Sequence, residues 1–170
     1  MDFEKLVEQM ELNARRIEAL LEGVSEEQAR WKPAPETWSI LEVMHHLWDE
    51  EREDFRVRLN LILHATGPEW PPINPQGWVT ERHYNDGRLA AALEGYLAER
   101  AASLDWLRNL KAADWEVSVL APWGREITAG EMMASWAAHD LLHMRQLVEL
   151  HRAYNVSLSE PYDTQYAGDW

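Results

Sequence analysis

The 170-residue sequence contains no cysteine. This absence excludes a disulfide framework, a thiolate nucleophile carried by the chain, a cysteine-ligated zinc ion and an iron–sulfur cluster. Any metal ion would therefore be held by His, Asp or Glu side chains. Basic residues are also few, with 16 Lys and Arg against 30 Asp and Glu and a formal net charge of −14. This balance argues against a nucleic-acid partner, because phosphates demand a basic surface.

Long apolar runs are missing as well. Charged residues interrupt each apolar stretch within a few positions, so neither a membrane span nor a membrane partner is predicted. The opening sequence, Met-Asp-Phe-Glu-Lys, is acidic and amphipathic, which is unlike a signal peptide. We expect a single domain over residues 1–170, located in the cytoplasm.

Hydrophobic spacing is helical over most of the chain. Steps of three and four residues predict four long helices, which cover residues 2–22, 39 to about 64, 86 to about 110 and 128 to about 154. Prolines and glycines between residues 66 and 87 predict a long loop between the second and third helices. Residues 117–127 predict a short hairpin or an extended connector before the fourth helix. The expected fold is an all-α four-helix bundle.

Capping signals mark where three of these helices begin. Ser39 followed by Glu42, and Thr128 followed by Glu131, have the spacing of capping boxes at the second and fourth helices. Asp86 is the expected cap of the third helix.

Histidines on two of the predicted helices form the strongest chemical pattern. His139 and His143 are four residues apart in the middle of an apolar helical face, where buried imidazoles need partners. Such a pair can bind one divalent ion, although two hydrogen-bonded core histidines give the same pattern. The second helix carries the adjacent pair His45 and His46, and helical periodicity slightly prefers His45 as the inward-facing member.

Two segments resemble the DinB-like superfamily, a group of small bacterial four-helix bundles related to the bacillithiol and mycothiol S-transferases. The first segment has the pattern Trp-Ser-x-x-Glu-Val, which starts at Trp38 and is followed by the pair His46-Leu47. The second has the pattern His-x-x-x-His-x-x-Gln, which starts at His139 and ends at Gln146. The resemblance extends to the order of the helices and to the long loop.

The resemblance implies a divalent metal site formed by three histidines, which correspond here to His46, His139 and His143. It selects His46 over His45 because the family's histidine is followed by Leu or Val. Zinc or nickel is the expected ion, and the resemblance also implies a homodimer. Three imidazoles leave at least one coordination position open, which is typical of a catalytic rather than a structural metal site.

Two further side chains lie one helical turn from these histidines. Glu50 follows His46 and is a candidate catalytic residue, either as a general base or as a hydrogen-bond partner of the site. A solvated surface charge is equally compatible with its place in the acidic run 49–54. Gln146 follows His143, where it could orient a ligand or simply pack against its neighbours.

Two classes of function are compatible with these features. The first is a metal-dependent transferase that uses a low-molecular-weight thiol as cosubstrate, or a related hydrolase. Because the chain has no cysteine, the thiol would come from a small molecule. The second is a non-catalytic, metal-stabilised protein that binds a stress-related ligand or a partner. A fourth protein ligand that closed the coordination sphere would favour the second class.

Overall fold

Local sequence signals determine where two of the long helices begin. Ser39 accepts a hydrogen bond from the backbone N–H of Glu42, whose carboxylate in turn accepts one from the backbone N–H of Ser39. Thr128 and Glu131 make the same reciprocal pair of hydrogen bonds. Each pair satisfies backbone groups that the first turn of a helix leaves free. Both predicted capping boxes are therefore present.

A computed structural model describes residues 1–64, 70–110 and 112–168 of the chain. Its helices and strands are α1 (Phe3–Leu21), α2 (Glu26–Arg30), α3 (Ile40–Asp49), a π-helical turn (Glu50–Phe55), α4 (Arg56–His64), α5 (Pro75–Glu81), α6 (Leu89–Asn109), β1 (Ser118–Leu120), β2 (Glu126–Thr128) and α7 (Ala129–Ser159). The long segments are α1, the continuous run from α3 to α4, α6 and α7, so the four-helix bundle is confirmed. None of the helices in the described ranges is long and apolar enough to cross a membrane.

The order of the helices and of the segments between them matches the prediction. Two helix ends differ from it, namely the start of α6 and the end of α7. Strands β1 and β2 pair antiparallel, so the connector before the last helix is a hairpin. Asp86 does not cap the third helix, because it lies in a separate 3₁₀ turn. The backbone N–H of Leu89 instead donates to Glu26 Oε1 of α2 at 3.3 Å. The last helix continues to Ser159, beyond the predicted end near Tyr154.

The predicted loop between the second and third long helices packs against the bundle. Its residues 70–87 contain the short helix α5 and the 3₁₀ turn, while residues 65–69 lie outside the described part of the chain. Trp78 and Tyr84 are buried there. The hydroxyl of Tyr84 donates to Asp49, which ties the turn to α3.

A belt of buried polar residues divides the core into two apolar clusters. One cluster joins α3 to the first half of α6 and the last part of α7, and the other joins α4 to the second half of α6 and the first part of α7. Each long segment contributes polar side chains between the clusters. We call this set of buried or half-buried side chains the polar belt, and its members are Asn13, His46, Asp49, Glu50, Glu51, Asp54, Arg100, His139, Asp140 and His143.

The π-helical turn lies where the second long segment crosses the polar belt. A π turn accommodates one more residue than an α turn, which changes the direction of the side chains that follow. Glu50, Glu51, Asp54 and Phe55 are all buried here. The alternative that Glu50 is a solvated surface charge is excluded, because only 4% of the residue is exposed.

Candidate metal centre

Three imidazoles from two helices face one another in the polar belt. Nε2 of His143 lies 3.1 Å from Nε2 of His46 and 3.0 Å from Nε2 of His139. One ring nitrogen from each of the three lies within 4.8 Å of the other two. His139 and His143 share a face of α7 because they are four residues apart. The structure thus brings together the three histidines that the family resemblance implied.

His45 points to a different side of α3 from His46. Its ring stacks on Tyr84 and Trp48, with centroid separations of 5.2 and 5.9 Å. A β-carbon at Gly87 would stand 2.3 Å from His45 Nε2, so this close approach requires glycine. The slight preference of helical periodicity for His45 is misleading because α3 packs on both α6 and α7. Helical periodicity reduces the apolar residues of a helix to one average direction, whereas α3 faces two neighbouring helices.

Gln146 determines which nitrogen of His143 is available as a ligand. Oε1 of Gln146 lies 2.8 Å from His143 Nδ1. Because an amide oxygen only accepts hydrogen bonds, Nδ1 carries the proton of the neutral ring. Nε2 is then unprotonated and directed at the other two imidazoles, which is the form that binds a metal ion. Of the two roles considered for Gln146, the geometry supports orienting a ligand.

Burial keeps the three imidazoles neutral. Removal from water, together with a smaller contribution from the neighbouring His143, lowers the pKa of His46 to about 3 and that of His139 to about 2. Burial also lowers the pKa of His143. At neutral pH each ring therefore keeps a lone pair for a metal ion.

The separations of the nitrogens fit a divalent ion. Tetrahedral zinc with Zn–N bonds of about 2.0–2.1 Å separates its ligand nitrogens by about 3.3 Å. The Nε2 separations of 3.0 and 3.1 Å around His143 are close to this value. Within the described ranges, no further His, Asp or Glu joins the three histidines as a ligand group. Coordination by these residues alone leaves a position for a small molecule.

Glu50 lies beside His46 on the side of its other ring nitrogen. Glu50 Oε1 is 3.9 Å from His46 Nδ1. One turn further along, Asp54 forms an ion pair with Arg58 at 2.8 Å. Burial, together with the neighbouring Asp54 carboxylate, raises the pKa of Glu50 to about 9. Glu50 is thus placed to contact a ligand side chain rather than a substrate.

A second buried network in the polar belt centres on Arg100. Its Nε donates to Glu51 Oε1 at 2.9 Å, and its Nη1 donates to Asp140 Oδ2 at 2.7 Å. Trp136 Nε1 donates to the same Glu51 oxygen at 2.7 Å, and Asn13 Nδ2 donates to Asp140 Oδ2 at 3.2 Å. All four long segments meet in these hydrogen bonds. The network holds the turn of α7 that carries His139.

Sequence reasoning missed this network. Asp140 is about 100° from His139 around the helix, so the spacing of the histidines does not point to it. Its partner Arg100 lies 40 residues away in the chain, so the pairing leaves no local pattern. The available signal was Arg100 itself, a charge in line with the apolar residues Tyr96 and Leu104. A buried arginine requires acidic partners.

The remaining histidines make other contacts. His64 bonds through Nδ1 to the carbonyl of Asn60 at the end of α4. His151 lies 3.1 Å from the side chain of Gln28 and bonds to a backbone carbonyl of α1. His83 is exposed in the connection before α6. In the part of the chain that the structure describes, none of them joins the three-histidine group.

A surface groove reaches one of the three histidines. It has a volume of about 550 Å³ and reaches His143. The ring of Trp38, which lines the groove, lies with its centroid 4.9 Å from that of His46. The other lining residues are Glu36, Thr37, Leu142, Arg145, Gln146 and Glu149. A small molecule in this groove would be next to His143.

Acidification should destabilise the metal-free protein. The folded-state pKa values of His46, His139 and His143 lie below the unfolded value, so below about pH 6.5 the unfolded chain binds more protons at these groups. The raised pKa of the Glu50–Asp54 pair acts in the opposite direction but involves fewer groups. The difference is about one net proton, so we expect the free energy of unfolding to fall by about 1.4 kcal/mol per pH unit between about pH 6 and pH 5.

Urea unfolding in the presence of a chelator measures this dependence. His139→Gln removes one buried imidazole and should reduce the slope. The exposed His64→Gln is the matched control and should leave the slope unchanged. A free energy of unfolding that stays constant or rises on acidification would contradict the prediction.

Comparisons with known proteins complete the description of the site. The sequence model of the DinB superfamily matches residues 9–147. Among solved structures, the fold is similar to that of YfiT from Bacillus subtilis, described as a probable metal-dependent hydrolase with an unusual four-helix bundle topology. The two chains are 18% identical, and the match has a TM-score of 0.79 and covers 90% of this chain and 87% of the other. No curated protein sequence matches this chain.

Proposed function

The chain belongs to the DinB superfamily, and on that premise we propose that it is a metal-dependent enzyme. In this proposal His46, His139 and His143 hold one zinc or nickel ion through their Nε2 atoms. The single observation that carries the proposal is the convergence of three neutral imidazoles within 4.8 Å beside an open groove. Without a metal ion, this arrangement buries three Nε2 atoms that face one another.

The groove and the open position argue for a catalytic site. A structural metal site is closed by four protein ligands, and the described residues supply three. A bound divalent ion supplies Lewis acidity, which lowers the pKa of a thiol or water at the open position. Gln146 orients His143, and Trp38 forms a wall of the groove where a substrate would lie.

The proposed reaction is transfer of a low-molecular-weight thiol to an electrophilic substrate. The thiol sulfur forms a bond to an electrophilic carbon, the leaving group departs from that carbon with its electron pair, and the thiol proton passes to solvent. The chain itself has no cysteine, so it cannot supply the sulfur. The thiol therefore binds as a cosubstrate.

Hydrolysis is the second candidate reaction. It is favoured by the similarity in fold to YfiT, which is described as a probable metal-dependent hydrolase. Water would then take the place of the thiol. A non-catalytic role is less well supported, because the described residues offer no fourth protein ligand that would close the coordination sphere.

Assays with several thiols and one electrophilic substrate test the proposal. Zinc- or nickel-loaded protein should accelerate consumption of thiol and substrate in equal amounts, and His143→Ala should remove the acceleration. His64→Ala is the control that should retain it. Substrate loss without thiol loss would favour hydrolysis. If the substrate disappears at the same rate with and without protein, both for every thiol and in the absence of thiol, the result would contradict an enzymatic role.

A further inference from the structure

Two buried atoms without hydrogen-bond partners face each other beside the histidines. Within the described chain, neither His46 Nδ1 nor Glu50 Oε1 has a hydrogen-bond partner. They are 3.9 Å apart, and both side chains are 6% exposed. An isolated polar atom at such a depth is costly, because it has lost its water without replacement. A small rotation of either side chain would bring the two atoms into hydrogen-bond range.

The chemistry of a metal ligand decides which of the two atoms donates. When Nε2 of a neutral imidazole is a ligand, the ring proton lies on Nδ1. In His46 that proton would point towards Oε1 of the Glu50 carboxyl group, an oxygen that can accept a hydrogen bond. The donor and the acceptor are therefore matched in the metal-bound form.

The π-helical turn places and holds this carboxylate. Glu50 is the first residue of the turn, four residues after His46, and Asp54 follows it by four. Arg58, in α4, pairs with Asp54 through its Nε at 2.8 Å. The neighbouring Glu51 faces Arg100 instead, so the turn sends two adjacent carboxylates to two different partners.

We infer that Glu50 is a positioning residue, which accepts a hydrogen bond from His46 Nδ1 and is supported by Asp54 and Arg58. This inference rests on the proposed metal site and assigns Glu50 a contact with a ligand rather than with the substrate. The hydrogen bond fixes the ring orientation of His46 and increases the basicity of its Nε2.

Zinc affinity, measured by competition with a chelating dye, tests the inference. Glu50→Leu should lower the affinity about 10- to 100-fold, as expected when the hydrogen-bond partner of a ligand is lost. Glu50→Gln keeps an oxygen that can accept the hydrogen bond, so this variant should lose less than about tenfold in zinc affinity. Glu53→Leu is the matched control, because Glu53 lies in the same turn but pairs with Arg82. It should change the affinity by less than about twofold.

A spectroscopic measurement separates positioning from a general effect on folding. In the zinc-loaded protein, the proton on His46 Nδ1 should give a slowly exchanging NMR signal, and Glu50→Gln should shift that signal. Glu50→Leu binding zinc as tightly as the unsubstituted protein would overturn the inference. So would an unshifted His46 signal in Glu50→Gln, even if Glu50→Leu does not fold. Failure of the unsubstituted protein to bind zinc would instead contradict the proposed function.

Discussion

Replacing His46 by alanine should lower the affinity for zinc by more than about 100-fold, which exceeds the loss expected for an outer hydrogen-bond partner. Its Nε2 is one of three converging nitrogens, so its removal leaves a two-ligand site. The adjacent His45 stacks on Tyr84 and faces away from these nitrogens. His45→Ala should therefore change the affinity by less than about threefold.

A second pair of variants tests α7, the helix that contributes His143. His143 contacts both of the remaining imidazoles, and His143→Ala should be as damaging as His46→Ala. His64→Ala, at the end of α4, should bind zinc normally. Titration calorimetry with zinc measures all four variants. If His143→Ala and His64→Ala lost equal zinc affinity, the site would be misplaced. If His45→Ala lost more zinc affinity than His46→Ala, the result would favour the prediction from helical periodicity.

Replacing Arg100 by alanine should lower the free energy of unfolding by about 3–5 kcal/mol, because it leaves two buried carboxylates without their cation. Arg100 is 2% exposed, and its partners Glu51 and Asp140 are equally inaccessible. A domain of this size has a total stability of about 5–15 kcal/mol, so the variant should be marginally folded. Denaturation with urea, monitored by circular dichroism, measures the difference.

Arg108→Ala is the matched control for this variant. Arg108 lies in the same helix and pairs with Glu11 of α1 at 2.6 Å, but the two side chains are 51% and 39% exposed. Water screens such a pair, so its loss should cost less than about 1 kcal/mol. If the two variants were equally stable, the Arg100 network would have no special part in holding the helices together.

The fold and the histidines were predictable because their signals are local. Capping boxes at Ser39 and Thr128 show where two helices begin, and helical spacing predicts that His139 and His143 share a face. The choice of His46 over His45 was different, since it depended on the family resemblance and went against periodicity. The homodimer and the cytoplasmic location stay predictions, because nothing in a single chain tests them.

Features that depend on contacts between distant segments could not be predicted. Helical spacing predicts that Glu50 lies beside His46, but the directions of the side chains after it depend on the π turn, which a helical wheel with a fixed period cannot represent. The partnership of Arg100 with Asp140 and Glu51 depends on three helices meeting at one level of the bundle. The acidic run in the sequence therefore concealed the partnership of Glu51 with Arg100, whereas the place of Glu50 beside His46 followed from helical spacing.

The metal content of the purified protein tests the central claim most directly. Protein from metal-replete cells, exchanged into metal-free buffer and measured by elemental mass spectrometry, should contain about one zinc or nickel ion per chain. The His46→Ala protein, prepared in parallel, should contain almost none. A folded, unsubstituted protein that neither retains nor takes up a divalent ion would contradict the proposed metal site.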